Sequence, residues 1–257
     1  MLKSMKYELL KFKTDILFMG GIFLIIELAF LIGIALNNEK MYVISVTGLS
    51  FFTIGCVFFI FISGILAYGR DLKEKSGYLV FMTPVSSYRV IGAKLLMLLV
   101  ESLVFLAGLA VFFPLDMTLT LRTFGNASWE DVLNEFARMF GAGSREEVLY
   151  FLTELLSMLI LLFVFFYMVM TIVYFSISMS ATILQNKKGR GILATGVALC
   201  LIICAIWIEE KIPRMDPVPS SPINVVVYIL PQLFFFIAVS VGAYIGTAKL
   251  LEKKISL

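Results

Sequence analysis

Residues 148–184 read VLYFLTELLSMLILLFVFFYMVMTIVYFSISMSATIL, and Glu154 is the single charged residue among them. The hydrocarbon core of a bilayer is about 30 Å thick and takes roughly 20 apolar residues of helix to cross. This stretch, from Val148 to Leu184, is longer than that, and tilt or extension beyond the membrane absorbs the excess. Five other stretches share its character: about Ile16–Leu36, Tyr42–Tyr68, Leu95–Leu115, Ile192–Ile208 and Val225–Ala248. The reading is an all-α polytopic membrane protein, a single transmembrane domain of six spans over residues 1–257.

Composition agrees. The chain is 60% hydrophobic and 15% charged, with a mean hydropathy of +0.98. A soluble domain carries about 25% charged residues, so lipid must solvate much of this surface. The net charge of +3 is too small to point to nucleic acid. There is no His, which removes His-based zinc sites and the Ser-His and Cys-His forms of nucleophilic catalysis. Intramembrane proteolysis by paired Asp is also excluded, because no Asp falls inside these six spans. Cys56, Cys200 and Cys204 all lie in apolar runs. Four residues apart on a helix, Cys200 and Cys204 hold their Cβ atoms about 5–6 Å apart, too far for the roughly 3.8 Å of a disulfide. All three are read as packing residues.

Lys and Arg set the orientation. Fifteen lie on one face: Lys3, Lys6, Lys11 and Lys13; Arg70, Lys73, Lys75, Arg89 and Lys94; Lys187, Lys188 and Arg190; Lys249, Lys253 and Lys254. Six lie on the other: Lys40, Arg122, Arg138, Arg145, Lys211 and Arg214. The richer face is expected in the cytoplasm, and six spans then put both termini there. No small-residue cleavage site follows the first span, so no removable signal peptide is expected.

Residues 1–15 are expected to form an interfacial helix, with Met5, Leu9 and Phe12 on its apolar face and Lys6, Glu8, Lys11 and Lys13 around the rest. Residues 116–147 are expected to form an extracellular amphipathic segment. Trp129, Val132, Leu133, Phe136 and Phe140 recur there at helical spacing. Ser128 can cap its start, and Ser144 with Glu147 forms a capping box for the fourth helix. Pro213, Pro217, Pro219 and Pro222 prevent residues 209–223 from being one helix. A hairpin dipping into the outer leaflet and an extended loop both fit.

The loop at 69–94 is the most informative. Its first half is charged, Arg70-Asp71-Leu72-Lys73-Glu74-Lys75, and an apolar patch from Tyr78 through Phe81 to Met82 follows. Thr83-Pro84 ends the helical character, and Ser86 or Ser87 can cap a new helix into the third span. Such an element can dock a cytoplasmic partner or rest on lipid headgroups. The order Glu74, Gly77, Leu79, Pro84, Ser86, Lys94 resembles the permease family of type-2 ABC exporters. Tyr78 stands where that family usually has Thr, and its leucine pair is Leu79-Val80 here. The resemblance implies that Arg70, Asp71, Glu74, Gly77, Tyr78, Leu79, Phe81, Thr83, Pro84, Ser86 and Lys94 form the segment that couples to an ATPase. It also implies two copies of a separate ATPase subunit, a second permease copy or a paralogue, and the plasma (inner) membrane of a bacterial cell.

A G-x-x-x-x-G-K-[ST] phosphate loop is absent from the sequence; Gly92-Ala93-Lys94 and Lys188-Gly189-Arg190 lack its spacing. No cofactor or metal is therefore expected in this chain, and it is not expected to be an enzyme by itself. ATP and Mg would bind the partner. Within the spans, Glu27 and Glu101 are the candidate path residues, because a charge at the bilayer centre costs roughly 2.5–3.5 kcal/mol. They either face a translocation path for cationic cargo or are protonated or hydrogen-bonded to neighbouring helices. Gly242 and Gly246 form a G-x-x-x-G suited to close helix packing. The leading expectation is export of an amphipathic peptide or other hydrophobic cargo. The alternatives are a non-transporting anchor or sensor, and a secondary transporter or channel.

Overall fold

A computed structural model describes residues 2–73, 86–124, 130–131, 145–184, 189–212 and 222–255. Every regular element among the described residues is helical. In chain order they are α1 (Leu2–Ala35), α2 (Glu39–Lys73), α3 (Ser87–Phe124), α4 (Arg145–Ile183), α5 (Arg190–Glu210) and α6 (Pro222–Ile255). Each of the six is long and apolar enough to cross a membrane, over Ile16–Ala35, Glu39–Leu72, Ser87–Thr120, Leu149–Ile183, Arg190–Glu210 and Asn224–Glu252. This is the pattern of a multi-pass membrane protein.

Several boundaries differ from the expected ones. The interfacial helix expected over residues 1–15 is not a separate element, since α1 runs unbroken from Leu2 to Ala35. No Pro or Gly interrupts Leu2–Met19, so each turn extends the last at the low cost of helix propagation. Likewise α3 carries the third span at both ends, from Ser87 to Phe124, with Pro114 inside it. The stretch 116–124 is therefore a continuation of that helix, and Asp116 lies inside the third apolar segment, contrary to the reading that no Asp falls in a span. Of the rest of that expected segment, Glu130 and Asp131 are described, both helical and exposed, and residues 145–147 open α4. The prolines Pro213, Pro217 and Pro219 lie outside the described residues, and Pro222 opens α6, where its missing N–H is no loss.

Besides an apolar core, several polar side chains are buried and many large apolar ones face outward. Glu27, Glu101, Ser176, Ser178, Ser180 and Thr247 are buried, while Ile25, Phe51, Met158 and Ile192 stand outward. In hydrocarbon the buried hydroxyls must be satisfied locally. They bond back to their own helices: Ser176 Oγ to the Ile172 carbonyl at 2.8 Å, Ser240 Oγ to Phe236 at 2.8 Å and Thr247 Oγ1 to Ala243 at 2.7 Å.

The chain divides into two compact units. The first is Met1–Leu66 with Gly92–Trp129, and the second is Ala67–Ile91 with Glu130–Leu257. In the first, α1 and α2 meet in a tight turn. Asn37 takes a left-handed φ of 49°, Asn38 N–H donates to the Gly33 carbonyl at 3.0 Å, and Asn38 Oδ1 accepts the Met41 N–H at 3.3 Å, capping α2. Gly33 permits this closeness, since a Cβ there would stand 2.9 Å from the Tyr42 nitrogen. Phe23 on α1 ties the unit together, with its ring 5.9 Å from Phe52 on α2 and 4.8 Å from Phe112 on α3.

In the second unit α4 packs against α5 and α6 around Met168, Ile172, Ala205 and Phe236. Of the G-x-x-x-G pair, Gly246 faces α4, where an added Cβ would meet the Phe175 ring at 2.7 Å; Gly242 is exposed and faces open space. Cys56 is buried, Cys200 and Cys204 are exposed, and none of the three is in a disulfide.

Candidate functional site

The site is the pair of helix ends that flank residues 74–85. Glu74, Gly77, Tyr78, Leu79, Phe81, Thr83 and Pro84 lie outside the described residues. What the structure describes is how the segment is held at each side.

At the α2 end, Tyr68 is fully buried. Its ring stacks on Tyr174 of α4 with centroids 4.2 Å apart and planes 15° apart. Its hydroxyl bonds Ser178 of the same helix, and Ser178 Oγ donates onward to the Tyr174 carbonyl at 3.0 Å. An unpartnered tyrosine hydroxyl in a dry interior would be costly, so Ser178 fixes both the depth and the rotation of the α2 end. Arg190, at the start of α5, and Asp71, one turn beyond Tyr68, act on the same hydroxyl electrostatically. Arg70 is exposed and Asp71 half-buried.

At the α3 end, the Ser86 carbonyl accepts the Arg89 N–H at 2.9 Å and the Val90 N–H at 3.4 Å, which starts the helix. Ser86 itself is exposed, whereas Ser87 is buried. Tyr244 on α6 donates its hydroxyl to the Tyr88 carbonyl at 2.7 Å, and the two rings meet edge to face at 6.0 Å. Both flanks of the 74–85 segment are thus pinned by tyrosines to α4 and α6, and the described residues 67–73 and 86–91 group with those helices rather than with the bodies of α2 and α3. Tyr68, Tyr88, Tyr174, Ser178 and Tyr244 were not singled out by the sequence reading; a tyrosine in an apolar run carries no mark of its partner. Lys94, the last residue of the motif, is buried on α3 within the first unit.

The two candidate path residues are not brought together. Glu101 is 7% exposed and lines a half-open cavity of about 240 Å³ in the first unit. Glu27, also 7% exposed, is not among that cavity's walls. It lies within side-chain hydrogen-bonding reach of Asp116 on α3. Glu27 Oε2 and Asp116 Oδ1 are both buried, and neither of these two atoms has a hydrogen-bond partner. Among the described residues no group of three or more His, Cys, Asp or Glu is arranged to hold a metal ion.

Among the described residues the fold is all-helical, with six helices long and apolar enough to cross a membrane. No protein-family model, curated protein or solved structure matches the chain.

Proposed function

We propose that this chain is the membrane-spanning permease subunit of an ATP-driven exporter. In this reading it moves an amphipathic peptide or other hydrophobic cargo, with both termini in the cytoplasm of a bacterial cell. A separate ABC-type ATPase, in two copies, binds ATP and Mg and docks on residues 69–94. A second permease copy or a paralogue completes the complex.

The observation that supports this is the double anchorage of the docking segment. Tyr68 ties its leading flank to α4, and Tyr88 ties its trailing flank to α6. Ties at both flanks give a displacement of the segment a route to α4 and α6. A free surface loop would be expected to lack such ties. The lack of a phosphate loop agrees with an ATP site on another polypeptide.

The test is co-purification of the tagged chain with an ABC-type ATPase from the membranes of its own cell, followed by ATP-driven export in reconstituted vesicles. Gly77→Trp and Pro84→Gly are expected to weaken association or export severely while the chain still reaches the membrane. Retention of both activities in both variants defeats the coupling assignment. Failure of the chain to retain any ATPase defeats the exporter reading itself.

A further inference from the structure

The cavity in the first unit is built unlike its surroundings. Its walls come from α1, α2 and α3, and four phenylalanines, Phe23, Phe52, Phe105 and Phe112, form much of them. Glu101 is the one carboxyl group among the lining residues, and no Lys or Arg is among them. Gly20 and Gly108 also line it, and a Cβ at either would meet nothing within 4 Å.

We propose that this cavity binds a lipophilic amine: an aromatic or short hydrocarbon body carrying a protonated nitrogen. The size fits, because an apolar cavity of about 150 Å³ already accepts benzene and this one measures about 240 Å³. The charge fits as well. An ammonium group placed against apolar walls is strongly disfavoured unless an acceptor meets it. Glu101 supplies a charge-assisted hydrogen bond, and the faces of the phenylalanine rings attract a cation. An anion would be repelled by the carboxylate, and no Lys or Arg lines the cavity to offset that repulsion. A plain acyl chain would fill the space without using Glu101. Whether the amine is cargo rests on the exporter reading; its binding does not.

Binding is measured on the full-length chain alone in phosphatidylcholine nanodiscs, without ATPase, after subtraction of protein-free discs. The probes are 1-naphthylmethylamine, the neutral 1-naphthylmethanol and the anionic 1-naphthoic acid, each followed by naphthyl fluorescence. The amine is expected to bind on the order of tenfold more tightly than the alcohol, the gain of a charged hydrogen bond, and the acid not to bind. Glu101→Gln is expected to remove that preference and leave the alcohol unchanged. Gly108→Leu fills open space, favours the helix over glycine and is expected to abolish binding of both. Equal binding of amine and alcohol to the unaltered chain overturns the proposal, and that comparison needs no variant. Undiminished amine binding by Gly108→Leu overturns it too. Since no ATPase is present, neither result bears on the exporter reading, which the co-purification decides separately.

Discussion

A methyl group placed on Gly33 would stand 2.9 Å from the Tyr42 nitrogen and 3.2 Å from its Cα, both backbone atoms. Backbone in a tight turn cannot step aside, so Gly33→Ala is expected to destabilise the chain by about 1–3 kcal/mol, the usual cost of overpacking. At Gly246 the obstructing atom is Cε2 of the Phe175 ring at 2.7 Å, and a ring at the end of a side chain can swing. Gly246→Ala should therefore cost less than Gly33→Ala, and Gly242→Ala, facing open space, should cost nothing measurable. Thermal midpoints of the three variants in one detergent test this ranking. A large loss at Gly242 would place a partner where none is described. Glu27 is read differently once Asp116 is beside it. Glu27→Gln keeps a side-chain amide that can donate to Asp116, whereas Glu27→Leu leaves a half-buried carboxyl group with one partner fewer. The Leu variant is expected to lose about 1–3 kcal/mol relative to the Gln variant, and equal midpoints would contradict the contact. Nothing in the local pattern announced this pair. Asp116 follows Pro114-Leu115, where hydropathy falls, so the sequence puts the end of the span just before it. The helix continues to Phe124 regardless, and the two carboxyl groups are distant in sequence.

At the scale of elements, the six long helices were legible because each apolar run exceeds what a bilayer crossing requires. Their ends were less so, since hydropathy reports where lipid stops and not where hydrogen bonding stops. α1 keeps its ladder through the charged residues Lys3 to Asp15, and α3 begins at Ser87, several residues before the apolar run. The contacts between elements were not legible at all. Tyr68 and Ser178 are 110 positions apart, and Tyr88 and Tyr244 are 156 apart. Serine and tyrosine in apolar runs offer many pairings of equal chemical merit. The anchor at Tyr68 makes a graded prediction. Tyr68→Phe keeps the stacked ring and leaves Ser178 bonded to the Tyr174 carbonyl, so it should cost only about 1 kcal/mol. Tyr68→Ala removes the ring as well and should cost about 3–5 kcal/mol. If α2 also carries force from a docked ATPase, Tyr68→Phe should lower export per ATP hydrolysed more than its small stability loss explains. An unchanged ratio would make Tyr68 a packing residue only.

At the scale of the whole molecule, orientation rests on charge, because an even number of crossings puts both termini on one side whichever side that is. If all six helices cross, 15 of the 21 Lys and Arg fall on the side of the termini, and basic residues in short loops resist transfer across the membrane. The two faces can be separated with single cysteines at described, exposed positions in a chain whose Cys56, Cys200 and Cys204 are replaced. With six crossings Glu130 would fall on the side with few basic residues and Glu252 on the other; both are exposed. A cysteine at Glu130 is expected to react with a membrane-impermeant maleimide in intact cells. One at Glu252 should react only after the membrane is opened. The converse result would invert the chain and put residues 69–94 outside, beyond the reach of any cytoplasmic ATPase. Labelling of both sites in intact cells would mean an even number of crossings between them. One of the three apolar helices from α4 to α6 would then lie in or on the membrane without crossing it, and α5, at 21 residues the shortest, is the one with least length to spare.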